Sequence, residues 1–338
     1  MKKFFFSLSI SFLILVIINI SWVIVNIYMF VIHGIESVVT GETLIENIYY
    51  SVYLRWILLA DFIWISAWFG YILQRKSYKT DSNLHYLQYE KIEEPKICII
   101  IPTYNEELSI EKVVKDFIKQ KFVKHVIVID NNSTDETVKI AKDSNAKVIT
   151  KTENKGYPHS IVLGLKEALK TDANVIGTVE SDGTFNGYDL EKMVPYLNNC
   201  DMVIGSRQYQ VISEKDNQNS GFFVWGNFFL AKLIQMKYLS YKHMGIVNLT
   251  DVGCVYRIIK RKSLEKMVEE LTYANSDQPI AGVGIGLHIT MLGIEKNLKI
   301  IEIPVTFKKR IGKSKLSGVG NKKAIGIGLK FLWLILKS

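Results

Sequence analysis

Two long apolar runs lie in the first quarter of the chain. Residues 4–32 are almost wholly apolar, and a second run covers residues 56–73. At about 1.5 Å per helical residue, the first can cross a bilayer of about 30 Å and the second is just long enough. The loop between them is acidic. Basic residues flank the outer ends of the pair: Lys2, Lys3, Arg75, Lys76 and Lys79. The positive-inside rule predicts a multi-pass membrane anchor in residues 1–75, with two transmembrane helices and the rest of the chain cytoplasmic.

Beyond a polar linker at residues 76–95, apolar strands alternate with helical patterns. The predicted strands are Ile97–Ile101, His125–Asp130, Lys147–Thr150, a run from Val175, Met202–Gly205 and Lys299–Phe307. Helices are predicted from about Ser109, after a Ser133–Glu136 capping box, and at residues 160–169 and 189–197. This alternation predicts an α/β fold with a mainly parallel sheet and right-handed crossovers, in which ligands bind beyond the carboxyl ends of the strands.

The fourth predicted strand ends in two carboxylates. Residues 175–185 read Val-Ile-Gly-Thr-Val-Glu-Ser-Asp-Gly-Thr-Phe, so Glu180 and Asp182 stand two apart. Side chains two residues apart leave an extended backbone on the same side. Two carboxylates there would repel each other without a cation between them. Oxygen ligands of this kind suit Mg²⁺ or Mn²⁺. For this stretch alone, a polar loop after a core strand is the alternative.

The composition narrows the possible partners. The 338 residues include 42 Lys and Arg against 33 Asp and Glu, a formal net charge of +9. This charge suits nucleic acid, anionic lipid or a phosphorylated substrate, but the basic residues lie by the apolar segments and the candidate phosphate site, so nucleic acid is not expected. Cys98, Cys200 and Cys254 lie far apart in or beside apolar runs, which predicts buried, reduced thiols. No Gly-x-Gly-x-x-Gly follows the first strand, which argues against a dinucleotide oxidoreductase.

Several motifs resemble those of one enzyme family. They are Ile100–Glu107 (Ile-Ile-Pro-Thr-Tyr-Asn-Glu-Glu), Val126–Thr137, Val179–Thr184, Gly205–Arg207, Thr250–Arg257, Glu302–Pro304 and Arg310–Leu316. In order and spacing they resemble the family 2 glycosyltransferases, and more closely the polyprenyl-phosphate branch that is similar to dolichol-phosphate mannose synthase. The resemblance covers residues 96–318. It implies the GT-A fold and a nucleotide-diphosphate sugar as donor.

The resemblance also implies which residues bind the donor. The base and ribose pocket and the nucleoside would be contacted by residues from the first two strand ends: Pro102, Tyr104, Glu106 and Asp130. Lys155, in the turn before a predicted helix, is a further predicted substrate-binding residue. The family usually has Asp-Asp-Gly-Ser after the second strand, whereas Asn131 and Asn132 follow Asp130 here. One negative charge near the nucleotide is therefore missing.

For catalysis, the resemblance implies that Asp182 ligates the metal, with Glu180 in the place of the family's first aspartate. Basic residues would neutralise the diphosphate or a lipid phosphate: Arg207, Arg310 and Lys315. The predicted catalytic residues are Asp182, Asp251 and Arg310. A phosphate acceptor needs no general base, whereas a hydroxyl acceptor needs one, for which Asp251 and His288 are the candidates. His288 is interpreted first as a packing residue of its helix.

Three segments suit a lipid acceptor. Residues 208–220 form a polar, turn-rich stretch typical of a mobile lid, and residues 221–234 are rich in aromatic residues that suit either a membrane interface or an ordinary core. The last segment, residues 319–338, contains an apolar stretch flanked by lysines, which predicts an interfacial helix. The predicted acceptor is therefore a polyprenyl phosphate or another membrane lipid.

The sequence thus predicts a metal-dependent, membrane-bound glycosyltransferase. A hydroxyl of a glycolipid or lipid-linked saccharide is the alternative acceptor, and a non-catalytic nucleotide-sugar-binding membrane protein is the alternative class. A processive polymerase is disfavoured, because the only Arg-Trp pair is Arg55-Trp56, without the preceding Gln of the family's Gln-x-x-Arg-Trp element. The sequence leaves the sugar, the nucleotide and the oligomeric state open, a homo-oligomer included.

Overall fold

The computed structural model describes residues 87–238, 248–271, 284–312 and 321–337, together with separate positions between residues 20 and 66. By its contacts the chain divides into two compact units, Met1–Lys76 with Leu336–Ser338, and Ser77–Ile335. Within the described residues, no helix has the length and apolar character needed to cross a membrane. Most of residues 4–32 and 56–73 lie outside the described residues, so the two transmembrane helices stay predictions.

One sheet organises the described part of the second unit. Its seven strands are β1 (Ile97–Thr103), β2 (Val123–Asp130), β3 (Lys147–Thr150), β4 (Val175–Thr178), β5 (Met202–Ser206), β6 (Arg257–Lys260) and β7 (Ile300–Pro304). Their order is β3-β2-β1-β4-β6-β5-β7. Neighbouring strands are parallel except β6, which runs antiparallel to both β4 and β5. The predicted α/β class with a mainly parallel sheet is confirmed, and β6 has no counterpart among the predicted strands.

Eight helices accompany these strands in the same described part of the chain. They are α1 (Ile110–Ile118), α2 (Thr137–Asp143), α3 (Tyr157–Ala168), α4 (Leu190–Met193), α5 (Gly221–Lys237), α6 (Arg261–Glu265), α7 (Ile285–Glu295) and α8 (Asn321–Lys337). Each of α1, α2 and α3 connects two parallel strands, as the alternating pattern predicts. The stretch predicted as one helix at residues 189–197 is α4 between two short 3₁₀ segments, with Pro195 in the second. Proline lacks the N–H that a longer helix would need there.

The core forms where the apolar pattern places it. All seven residues of β1 are buried, as expected for a central strand covered on both faces. In α1, Val113, Val114 and Phe117 are buried, whereas Ile118 is 37% exposed. Helical spacing from Ile110 predicts an apolar face with Val113, Val114 and Ile118, but this is wrong at Ile118, because Phe117 at the i+7 position completes the stripe instead.

The predicted capping box is also wrong. Ser133 and Glu136 do not form a capping box: the N-cap of α2 is Glu136, and its side chain makes no cap hydrogen bond. The Ser133 hydroxyl instead donates to Asp130 Oδ1 at 2.5 Å, and its N–H donates to the same carboxylate at 3.2 Å. Ser133 bonds to the Asp130 carboxylate and not to the start of the helix, because a charged acceptor forms the stronger hydrogen bond.

Candidate active site

The carboxyl edge of the sheet gathers the predicted site residues. The strands β1, β2, β4, β5 and β7 all end there, because they run parallel, and antiparallel β6 begins there with Arg257 opposite Thr178 and Ile204. The segments beyond these ends carry nearly all the motif residues of the sequence. This edge is where an α/β sheet of this kind binds ligands.

The turn after β4 holds the two carboxylates around one threonine. Thr184 Oγ1 donates to Asp182 Oδ1 at 2.6 Å and lies 3.4 Å from Glu180 Oε2, and the Thr184 N–H donates to Asp182 Oδ1 at 3.1 Å. Asp182 is buried, and Gly183 makes the turn with φ of +79°. Burial raises the pKa of Glu180 to about 8, and the neighbouring charge of Asp182 contributes to the increase. The turn therefore brings two carboxyl groups close together, which disfavours the ionisation of both at once.

Arg310 joins this turn to the end of β1. Its Nη1 donates to Asp182 Oδ2 at 2.8 Å, and its Nη2 donates to Glu106 Oε1. The backbone of its segment is fixed on the turn, since the Ile311 N–H donates to the Asp182 carbonyl at 2.9 Å and the Lys308 N–H to the Thr184 carbonyl at 2.7 Å. Residues predicted separately for nucleotide, metal and phosphate binding thus meet at one point.

Arg207 and Asp251 form a second, bidentate ion pair. Arg207 Nε donates to Asp251 Oδ2 at 2.7 Å and Nη2 to Oδ1 at 2.8 Å, and the guanidinium carbon lies 5.5 Å from the Phe307 ring centre. Burial alone would raise the pKa of Asp251, but the charge and hydrogen bonds of Arg207 lower it below its ordinary value. A carboxylate held in this way is a weak proton acceptor. In this geometry Asp251 orients Arg207 and is poorly suited to act as the base considered above.

Glu302 on β7 supports this pair and was missed as a site residue, although it lies in one of the motifs. Its carboxylate accepts hydrogen bonds from the N–H groups of Thr250 (2.5 Å) and Asp251 (2.9 Å). Glu302 therefore fixes the loop that carries Asp251. Burial raises the pKa of the Glu302 carboxyl, and the two backbone donors partly oppose that increase. The available signal was the position of Glu302 in the Glu302–Pro304 motif, within the predicted strand Lys299–Phe307.

The predicted nucleoside end shows how the chain departs from the family pattern. Asp130 is fully buried and is held by Ser133. Asn131 Oδ1 accepts from the Lys155 N–H at 3.1 Å, and its amide nitrogen donates to Asn154. Asn131, in the place of the family's second carboxylate, thus fixes the 154–156 turn through both a donor and an acceptor. An ionised carboxylate could only accept.

Two lysines lie beside this turn. The predicted Lys155 points its ammonium toward Glu153 at 3.0 Å and is about half exposed. Lys151 was not predicted: it is 7% exposed and its Nζ donates to Ser160 Oγ at 2.8 Å. Burial lowers the pKa of Lys151 to about 8, and the charge of Lys155 adds to the decrease. The nucleoside end of the edge therefore holds two lysines close to the buried Asp130 carboxylate.

Unpartnered polar atoms mark the same edge independently. Within the described part of the chain, six buried side-chain atoms have no hydrogen-bond partner, and five of them belong to residues at or just beyond this edge: Thr103 Oγ1, Tyr157 Oη, both amide atoms of Gln208, and Arg310 Nε. Buried polar groups are rarely left without a partner in proteins. Their concentration here is typical of a site completed by a ligand.

The residues present fit a divalent cation that is shared with a substrate. Among the described residues, no group of three His, Cys, Asp or Glu side chains could hold a metal ion by itself. The half-buried Glu180 and the buried Asp182 offer two neighbouring carboxylates, and Mg²⁺ is commonly bound by one or two carboxylates plus substrate phosphates. The donor set therefore suits a metal that arrives with a phosphorylated ligand.

The predicted residues that remain to be located are Pro102, Tyr104, Lys315 and His288. Pro102 is buried at the end of β1 and Tyr104 is half-buried just beyond it, and Lys315 lies outside the described residues. His288 on α7 is half-buried, and burial lowers its pKa to about 4, which suits the packing interpretation. The three cysteines are free and buried, which confirms their prediction, and burial raises the pKa of Cys98 and of Cys200 to about 12.

Comparisons with known proteins identify the family. The family described as glycosyl transferase family 2 matches residues 98–268. An undecaprenyl-phosphate mannosyltransferase of Micrococcus luteus is 26% identical over 66% of this chain and 88% of its own length. A polyprenol monophosphomannose synthase of Mycolicibacterium smegmatis is 24% identical over 68% of this chain and 84% of its own length. These relatives confirm the predicted resemblance to the polyprenyl-phosphate branch.

A solved structure shows the fold. Glucosyl-3-phosphoglycerate synthase from Mycobacterium tuberculosis, in complex with Mn²⁺, UDP-glucose and phosphoglyceric acid, is similar over 71% of this chain and 80% of its own, with a TM-score of 0.50 and 18% sequence identity. The GT-A-like arrangement of a mainly parallel sheet is therefore confirmed. Since the family match covers more than half of the chain, the protein belongs to the family 2 glycosyltransferases and is an enzyme that uses a nucleotide sugar.

Proposed function

We propose that this enzyme transfers one sugar from a nucleotide-diphosphate sugar to a polyprenyl phosphate at a membrane surface, with Mg²⁺ or Mn²⁺ bound by Glu180 and Asp182. One observation carries the proposal: Arg310 contacts both Glu106, at the predicted nucleotide end, and Asp182, at the predicted metal end. The names of the two mannosyltransferase relatives support a polyprenyl-phosphate acceptor. The Mn²⁺ and UDP-glucose of the similar solved structure support the metal and the donor class.

The chemistry places positive charge where the leaving group becomes negative. In the transfer, the bond between the anomeric carbon and the donor diphosphate breaks, and a bond from that carbon to the acceptor oxygen forms. The nucleoside diphosphate leaves with an additional negative charge, which the Arg310 guanidinium is placed to stabilise beside Asp182. A bound divalent cation would add further charge for the same leaving group.

The described geometry favours a phosphate over a hydroxyl as acceptor. A hydroxyl must lose its proton during the transfer, whereas a phosphate is already ionised and needs no base. The predicted base, Asp251, has a lowered pKa and is engaged by both Arg207 Nε and Nη2. This pair leaves Asp251 poorly suited to take a proton, and it orients a guanidinium of the kind that binds phosphate.

Two helices expose apolar side chains that suit a membrane surface. On α5, Trp225 is 72% exposed and Phe229 53% exposed, and on α8, Leu329 is 53% and Trp333 49% exposed. The helices touch each other, since Lys237 Nζ donates to the Ile335 carbonyl at 2.6 Å. Aromatic residues are common where protein meets the lipid headgroups. This surface supports, as part of the proposal, an enzyme that meets its lipid acceptor at the bilayer.

A transfer assay with matched acceptors tests the proposal. The purified full chain in neutral detergent would be given UDP-glucose, UDP-N-acetylglucosamine and GDP-mannose in turn, with MnCl₂ and either undecaprenyl phosphate or undecaprenol. We expect a sugar-phosphate lipid from one donor, with no product from the alcohol or in excess EDTA. Asp182→Asn should reduce the rate roughly 10²–10³-fold, as for the loss of one preorganised charge interaction.

The controls separate lost chemistry from lost folding. Asp143→Asn changes a carboxylate at the exposed end of α2, away from the carboxyl edge, and should keep the parent rate. The thermal unfolding of Asp182→Asn should show a single folded protein. Full activity of Asp182→Asn or of the parent in EDTA would contradict the metal role, and transfer to undecaprenol would contradict the phosphate acceptor.

A further inference from the structure

Tyr157 carries a buried hydroxyl that makes no hydrogen bond within the described part of the chain. The residue begins α3 directly after Gly156, whose φ of +83° turns the chain into the helix. Its side chain as a whole is only half-buried, so it is not an ordinary core residue. A hydroxyl removed from water without a partner is unfavourable, and buried polar groups in proteins are nearly always hydrogen-bonded to protein, water or a bound ligand.

The charged groups that act on this hydroxyl belong to the candidate active site. Burial raises the pKa of Tyr157 well above its ordinary value, and the charges of Glu180 and Asp182 raise it further, against the opposing charge of Arg257. The phenol therefore keeps its proton and can donate a hydrogen bond. The two carboxylates are close enough to act on the phenol, but it forms a hydrogen bond with neither, so its donor is left available for a ligand.

We propose that the Tyr157 hydroxyl donates a hydrogen bond to the diphosphate of the nucleotide-sugar donor. The inference rests on the proposed function, because it takes the Glu180–Asp182 pair as the place where the diphosphate binds. The diphosphate oxygens are the charged acceptors of such a donor, and hydrogen bonds to charged acceptors are the stronger ones. Tyr157 is then a substrate-binding residue that no motif of the sequence reveals.

A single-atom change tests this contact. Tyr157→Phe removes the hydroxyl and keeps the ring. Isothermal titration calorimetry on the full chain in neutral detergent with MnCl₂ would compare UDP, GDP, UDP-glucose and GDP-mannose. We expect the variant to bind the preferred free nucleoside diphosphate and its nucleotide sugar more weakly by the same factor, roughly tenfold to hundredfold, the range for a hydrogen bond to a charged group. Tyr196→Phe, at a tyrosine that is 47% exposed, should bind both as the parent does.

Thermal unfolding of the ligand-free variant gives the second readout. Because the hydroxyl has no described partner, its removal should leave the unfolding temperature unchanged or raise it. A lower unfolding temperature would overturn the inference, since the hydroxyl would then have a structural role. Weaker binding of the nucleotide sugar alone would also overturn it, by placing the contact on the sugar, and so would unchanged binding of both ligands. If the parent bound neither nucleotide, the proposed function would fail as well, whereas binding without dependence on Tyr157 would count against this inference alone.

Discussion

At the scale of single residues, charge balance is the main feature of the site. Glu106, Glu180 and Asp182 bring three carboxylates to the carboxyl edge, and Arg310 contacts two of them. Burial is the larger cause of the raised pKa of Glu180, and the neighbouring charge of Asp182 adds to it. A guanidinium at Asp182 Oδ2 occupies one of the oxygen atoms that a divalent cation would use. Arg310 and a metal ion are therefore expected to compete for this carboxylate.

The first prediction follows from this competition. Arg310→Ala should bind Mn²⁺ more tightly than the parent, by roughly tenfold in Kd or about 1.4 kcal/mol, because the carboxylates lose an internal counter-ion. The same variant should transfer sugar more slowly, because the guanidinium beside the leaving diphosphate is gone. Calorimetric titration with MnCl₂ and the transfer assay measure the two effects.

The matched control for this variant is Arg261→Ala. Arg261 is also ion-paired, with Glu265 at 2.9 Å, but it lies after β6 at the opposite end of that strand from Arg257. Its loss should leave the Mn²⁺ affinity unchanged. Equal Mn²⁺ affinity in Arg310→Ala and the parent would show that the guanidinium and the metal do not share Asp182.

At the scale of elements, the site depends on how the segment at residues 308–312 lies on the turn after β4. Two backbone hydrogen bonds hold it there, and the Ile311 side chain lies over Gly183. A Cβ on Gly183 would come within 2.8 Å of Ile311 Cδ1. Gly183 thus serves both the turn, through its φ of +79°, and the close approach of the segment that carries Arg310.

Gly183→Ala should therefore damage the site more than the fold. An alanine at positive φ costs roughly 1–2 kcal/mol, and the contact with Ile311 adds to that cost. We expect a lower unfolding temperature and a transfer rate reduced at least tenfold, because Asp182 and Arg310 are both adjacent. Gly226→Ala on α5, where a Cβ meets no atom within 4 Å, should instead be neutral or stabilise the protein by up to about 1 kcal/mol. Similar stability and activity in the two variants would contradict this account.

At the scale of the whole molecule, the membrane topology remains a prediction of the sequence. The charge pattern places residues 33–54 outside the cell and the domain from residue 76 in the cytoplasm, where nucleotide sugars are made. The exposed aromatic residues on α5 and the apolar residues on α8 are consistent with an enzyme at a membrane surface. The orientation of that surface in a cell needs a chemical test.

Cysteine labelling in intact cells provides that test. Glu42→Cys should react with a membrane-impermeant thiol reagent added outside, whereas Asp81→Cys should react only after the cells are permeabilised. The native Cys98, Cys200 and Cys254 are buried, so the parent protein should show little background labelling and serves as the control. Labelling of position 81 but not of position 42 in intact cells would reverse the topology.

The sequence by itself determined the fold class and the location of the site. Strands such as Ile97–Ile101 are recognisable because a strand covered on both faces must be apolar throughout, and parallel strands must end at one edge. The positions of Glu180 and Asp182 follow from local spacing alone. The family motifs added the nucleotide-sugar chemistry, which the family match confirms.

Only the tertiary structure decided which charged groups are partners. Asp251 lies 44 residues after Arg207, and Arg310 lies 204 residues after Glu106, so no local pattern could pair them. The insertion of antiparallel β6 between β4 and β5 brings the Asp251 loop to the site, and short strands of this kind carry a weak sequence signal. The sequence likewise does not predict that the Tyr157 hydroxyl lacks a hydrogen-bond partner, because this depends on every element that packs around it.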